Sequence, residues 1–122
     1  MKIMHVGIMS REDYKKRTIA IAKGIYKPKH NEPKVWFESI KSLSQVLSNE
    51  NQALLKLIIE RKPQSLTELE AISHRKKSNL SRTLKTLENY GIVSLDRKAG
   101  KVIPTVQAAN FKVEFGLNSI NY

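Results

Sequence analysis

The sequence predicts a mainly α fold with a small β component, an α+β domain. Three observations carry this. Capped apolar stripes at helical spacing occupy most of residues 35–90, shorter turn-bounded or alternating apolar stretches follow from 92 to 117, and 122 residues allow one domain of ordinary size plus an arm. Hydrophobic residues at 40% and charged residues at 27% match a folded chain rather than a disordered one.

The elements follow in order. Residues 1–9, rich in Ile, Val and Met, suit a strand. Ser10 with Asp13 three residues on resembles a capping box, and Tyr14, Thr18, Ile21 and Ile25 recur at helical spacing before Gly24, which predicts a helix over about 11–23. Pro28 and Pro33 among polar residues mark a linker. From Val35 the character changes: Trp36, Phe37, Ile40, Leu43, Val46 and Leu47 predict a short strand or turn and then a core-facing helix. The chain therefore divides into an N-terminal basic arm, 1–34, and a main domain, 35–122.

Ser48 caps a helix to about Lys62, whose Leu54, Leu55, Leu57, Ile58 and Ile59 form a stripe wide enough for the deep core. Ser65 and Glu68 box a short helix carrying Leu66, Leu69 and Ile72. After a basic connector, His74 to Lys76, a helix runs over 77–90 and stops at Gly91. Ile92–Asp96 and Lys101–Val106 read as strands joined by a turn at Arg97-Lys98-Ala99-Gly100, with Pro104 on an edge. Phe111, Val113, Phe115 and Leu117 alternate with polar residues as a last half-buried strand. Three helices followed directly by a hairpin describe a winged helix-turn-helix, here with an N-terminal arm and an extra C-terminal strand.

The charge is placed unevenly. Lys and Arg outnumber Asp and Glu by 22 to 11, for a net charge of +11. The excess falls in two blocks, since 1–34 hold nine basic residues against three acids and 74–101 hold eight against two. Blocks of this kind suit a phosphate backbone better than a uniformly solvated surface does. On the 77–90 helix, Leu80 and Leu87 lie within about 60° of Leu84 and define the buried side. The far side carries Ser78, Arg82, Lys85, Thr86 and Asn89, with Asn79 at its margin, and the helix has one acid, Glu88, near the buried flank. Exposed helices ordinarily intersperse acids for i,i+4 pairing.

These residues have distinct expected tasks against double-stranded DNA. Asn79 and Arg82 suit bidentate recognition of adenine and guanine edges, worth about 1–3 kcal/mol of discrimination each. Ser78 and Ser81 near the helix N-terminus suit phosphate or a base edge. Lys76, Lys77 and Lys85 suit phosphate, as flexible ammonium groups read base identity poorly. Arg97, Lys98 and Lys101 on the hairpin would track the flanking backbone. Lys15-Lys16-Arg17 in the arm fits either DNA or the wet side of a helix, and no site is assigned there.

The stretch LEAISHRKKSNLSRTLKTLENYGIV, from Leu69 to Val93, resembles the helix-turn-helix of MarR-like winged-helix transcriptional regulators. The element order from Ser10 onward, with Trp36-Phe37-Glu38-Ser39-Ile40 leading the first core helix and Val113-Glu114-Phe115 closing the chain, is similar to a family of small prokaryotic DNA-binding regulators. That resemblance implies that Asn79, Arg82 and Lys85 lie in the recognition helix. It further implies autoregulation and, for some members, an antitoxin role beside a small toxin. Two departures stand out: His74 and Arg75 occupy positions where MarR-like proteins usually carry Gly and an apolar residue, and long terminal dimerisation helices are missing.

Other chemistry is not indicated. His5, His30 and His74 are far apart with no metal-ligand spacing, Cys is absent, and no nucleophile elbow, P-loop or dinucleotide motif occurs. No enzyme, cofactor or metal is expected. No apolar run approaches the roughly 20 residues of a membrane span, so the expected location is cytoplasmic, at the nucleoid. The sequence thus points to an autoregulating repressor, a homodimer reading a two-fold site, because one recognition helix contacts few bases. The alternatives are an antitoxin that covers a cognate toxin protein and autorepresses its operon, and a non-specific nucleic-acid binder driven by charge.

Overall fold

The structure, a computed structural model, describes residues 1–117. It is α+β. The order is β1 (Lys2–Ile8), α1 (Arg11–Ala22), β2 (Val35–Phe37), α2 (Ile40–Val46), α3 (Asn49–Arg61), α4 (Leu66–Ser73), α5 (Lys77–Asn89), β3 (Val93–Lys98), β4 (Lys101–Val106) and β5 (Ala108–Glu114). One sheet has the order β2-β1-β5 and the other pairs β3 with β4. Among the described residues no helix is long and apolar enough to cross a membrane. The chain forms two compact units, one of Met1–Ile3 with Gln45–Asn110 and one of Met4–Ser44 with the chain from Phe111, so the step after Lys34 in the sequence pattern falls inside the second.

In that second unit β1 and β2 pair in parallel, with Val6, Gly7 and Ile8 opposite Val35, Trp36 and Phe37. A parallel pair needs a long crossover, and α1 with the proline-bearing segment supplies it. Ser10 caps α1 by accepting from the Asp13 N–H at 3.2 Å, and Gly24 ends it at φ +74°. Gly7 is required where it stands, because a Cβ there would lie 2.7 Å from Trp36 Cε3 and 2.9 Å from Pro33 Cγ. Arg17 departs from the arm's basic run, in which Lys15 and Lys16 are exposed: it is buried at 8% exposure, 5.2 Å from the Trp36 ring centroid and 5.9 Å from that of Tyr26, with Nη2 3.5 Å from Glu32 Oε2. Glu32 also accepts from the Tyr26 hydroxyl and, at 2.7 Å, from the Lys29 N–H. A residue that reads as a surface cation is therefore an anchor for the 26–34 segment, its planar head stacked on aromatic faces.

The other unit is built on three helices and a hairpin. Ser48 accepts from the Asn51 N–H at 3.2 Å, and Lys62 closes α3 in the left-handed conformation before buried Pro63. Ser65 accepts from the Glu68 N–H at 3.0 Å, but the Glu68 carboxylate takes the Gln64 N–H, one residue before the expected reciprocal partner. The core holds Leu54, Leu55, Ile58, Leu69, Leu80, Leu84, Leu87, Ile92, Val93, Val106 and Ala108. Leu57 and Ile59 are only half-buried, so the α3 stripe is narrower than its five apolar residues suggest.

Two strand expectations are corrected. The hairpin turn is not Arg97–Gly100: Arg97 and Lys98 are in β3, and Ala99 and Gly100 alone turn the chain at φ +51° and +74°. Two positive φ values in succession match the right-handed twist of a tight hairpin, which is why a four-residue turn is unnecessary. The last strand begins earlier than expected, at Ala108, and ends at Glu114, short of Phe115 and Leu117; of the alternating apolar residues Phe111 is partly buried, Val113 and Phe115 are about half exposed and Leu117 is almost fully exposed. Alternation predicts which residues share a face and says nothing of whether that face is covered.

Candidate nucleic-acid interface

Leu80, Leu84 and Leu87 on α5 are buried, while Lys76, Lys77, Ser78, Asn79, Ser81, Arg82 and Lys85 are all exposed. The leucines seat one side of the helix in the core and leave the opposite side for polar groups. Arg97, Lys98 and Lys101 are exposed on the hairpin. The ten residues singled out by pattern thus lie on α5 with its N-cap and on the β3–β4 hairpin, all in one unit.

A carboxylate joins those elements. Glu88 lies 3.5 Å from Lys85 Nζ and 3.5 Å from Arg97 Nη1, so the single acid of α5 is paired with one cation of the helix and one of β3. Lys98 lies 3.3 Å from Asp96. Lys98 and Lys101 also stand opposite each other across the hairpin, a like-charge opposition that Asp96 offsets on the Lys98 side only. Among the described residues the side chains of Lys76, Arg82 and Lys101 make no hydrogen bond or ion pair.

The N-terminus of α5 is held from α4. Lys76 gives no side-chain cap; the Lys77 N–H instead donates to Glu70 Oε2 at 2.9 Å, and Lys77 Nζ donates to Thr67 Oγ1 at 2.9 Å. A carboxylate at the positive end of the helix is stabilised by the aligned peptide dipoles. It also claims one N–H that the sequence left open to phosphate.

Arg75, which reads as part of a basic connector, is the residue that sequence reasoning missed. Its Nε donates to Asn79 Oδ1 at 2.8 Å, Nη1 to Asn51 Oδ1 at 3.2 Å and Nη2 to Thr83 Oγ1 at 2.9 Å. Asn51 in turn donates through Nδ2 to the Val46 carbonyl at 2.9 Å. One guanidinium therefore ties the start of α3 to two turns of α5. The i,i+4 spacing of Arg75 and Asn79 is a local signal, whereas Asn51 is 24 residues away and gives none. Asn79 consequently has its carbonyl oxygen committed and its amide N–H₂ left over. His74, where a glycine is usual, closes α4 at φ +59° with its N–H on the Glu70 carbonyl.

No group of three or more His, Cys, Asp or Glu among the described residues could hold a metal ion. The chain has no match among curated proteins or solved structures. Residues 46–113, from the end of α2 into β5 and more than half of the chain, match the model of the HVO_A0114 family, and the chain belongs to that family.

Proposed function

We propose that the chain is a sequence-specific DNA-binding transcriptional regulator, an autoregulating repressor acting as a homodimer, built as a winged helix-turn-helix. In this reading α4 and α5 form the helix-turn-helix, α5 enters the major groove and the β3–β4 hairpin is the wing on the flanking backbone. The observation that supports it best is the exposed side of α5, which carries amide, hydroxyl and cationic groups and no outward acid, next to a hairpin tip where two lysines oppose each other.

Roles follow from the contacts. Arg82, in mid-helix and without a partner among the described residues, reads a guanine edge. Asn79 contributes through its remaining N–H₂ group, so it is the lesser reader while Arg75 holds its oxygen. Lys76, Lys77, Ser78 and Ser81 address phosphate at the helix start, Lys85 and Arg97 do so from the Glu88 bridge, and Lys98 and Lys101 from the hairpin tip.

Selection of bound fragments from a random duplex pool tests this. The expected yield is a two-fold motif with half-sites one helical turn apart or a multiple of it, and a self-competitor that displaces the fragment far better than random duplex. Equal displacement by random duplex would reduce the protein to a charge-driven binder. No retained duplex at physiological salt would remove the DNA reading altogether.

A further inference from the structure

We infer that β5 is the edge on which two copies of this chain join, antiparallel about a two-fold axis at Val113, so that Lys112 of each copy faces Glu114 of the other. β5 ends its sheet; among the described residues β1 is its only strand neighbour and no backbone hydrogen bond outside the ladders involves 109–114. Its outer N–H and C=O groups are a template for another strand. Side chains at its C-terminal end are open: Val113 is 49% exposed and Phe115, the residue after the strand, 52%, against 5% and 0% for Met4 and Val6 on β1.

The occupant is a second copy because the strand is chemically complementary to itself. In an antiparallel two-fold pair, positions equidistant from the axis stand opposite each other. The run Phe111-Lys112-Val113-Glu114-Phe115 has apolar residues at mirrored positions and opposite charges at the other mirrored pair. Centring on Val113 gives two Lys–Glu pairs on one face and Phe111 against Phe115 on the other. Centring on Lys112 or Glu114 sets a charge against itself, and a half-step sets charges against apolar residues, so one register is favoured. His5 Nε2, 3.2 Å from Glu114 Oε1, already holds that carboxylate beside β1.

This rests on the two-fold reading proposed above and concerns the free protein. Sedimentation of the full chain tests it. The wild type should dimerise, Lys112→Glu and Glu114→Lys should each weaken the dimer about 10-fold or more, and the double exchange should restore it. An equimolar mixture of the two single variants should form a mixed dimer, since an acid at 112 and 114 then meets a base at 114 and 112. A dimer indifferent to both single changes overturns the β5 interface and leaves the two-fold reading intact. A wild type that stays monomeric overturns the inference, and the symmetry of the selected duplexes then judges the two-fold reading by itself. Both substituted sites, Lys112 and Glu114, are exposed, and circular dichroism of each variant confirms folding.

Discussion

Replacing Arg75 is the sharpest test of how the α4–α5 region is held. The side chain makes three charge-assisted hydrogen bonds, at 2.8, 3.2 and 2.9 Å, to acceptors on α3 and α5. A hydrogen bond to a charged group is worth about 1.5–3 kcal/mol net when shielded, and bonds sharing one donor group are not additive. For this half-buried guanidinium the loss in Arg75→Ala is about 2–4 kcal/mol, part of it from leaving Asn51 Oδ1 without its donor. For a chain of this size that corresponds to a fall of roughly 8–16 °C in melting temperature. Arg75→Lys keeps the charge, but one ammonium cannot reach three separated acceptors, so most of the loss should remain. Urea unfolding of both variants measures it, with the denaturant slope as a check that only the folded state has changed. If Arg75→Ala stays within about 0.5 kcal/mol of wild type while duplex binding collapses, Arg75 is a DNA contact and the clamp reading is wrong.

Other perturbations separate the remaining roles. Glu88→Gln removes the acid that competes for Lys85 and Arg97, so duplex affinity should rise about 3- to 10-fold in an equilibrium titration, at a stability cost under about 1 kcal/mol; no gain would mean these two cations do not face DNA. Arg82→Ala should relax preference at one base pair by about 1–3 kcal/mol, whereas Lys98→Ala should weaken all duplexes alike; identical behaviour of the two refutes the division between reading and positioning. His74→Gly relieves a left-handed residue and should stabilise by about 0.5–1 kcal/mol in thermal melts, the gain being reduced by glycine's looser unfolded state.

What the sequence made legible is what acts over three or four residues. The caps at Ser10, Ser48 and Ser65 and the Leu80, Leu84, Leu87 side of α5 are of this kind, because a cap and a helix period are both local. The parallel pairing of β1 with β2, the burial of Arg17 under Trp36, and the Glu70 carboxylate on the Lys77 N–H depend on approach between distant segments, and composition carries no trace of them. The hairpin shows a third case. A single glycine in Arg97-Lys98-Ala99-Gly100 suggests a loose turn, yet Ala99 accepts a positive φ because strand pairing on either side outweighs about 1 kcal/mol of local cost. Likewise His74 supplies the left-handed residue that the departure from glycine left in doubt, so the turn survives the substitution at a cost.

The salt dependence of binding decides whether the internal acids mask the surface or merely hold it ready. On the roles assigned above, the ammonium groups of Lys76, Lys77 and Lys101 address phosphate without an acid partner among the described residues, while Lys85, Arg97 and Lys98 are paired to Glu88 or Asp96. Each phosphate contact contributes about −0.9 to the slope of log K against log salt, giving about −3 per copy if the paired cations stay where they are and about −5 if they transfer. At 0.1 M salt each counterion released is worth about 1.2 kcal/mol. The internal pairs are at least half exposed on the cation side, and exposed pairs are worth about 0.2–1 kcal/mol. Phosphate therefore wins, the expected slope is near −5 per copy, and Glu88→Gln should raise affinity at every salt concentration without steepening it. A wild-type slope near −3 would mean that Glu88 and Asp96 keep their partners, and Lys85, Arg97 and Lys98 would then be braces between helix and hairpin rather than contacts with DNA.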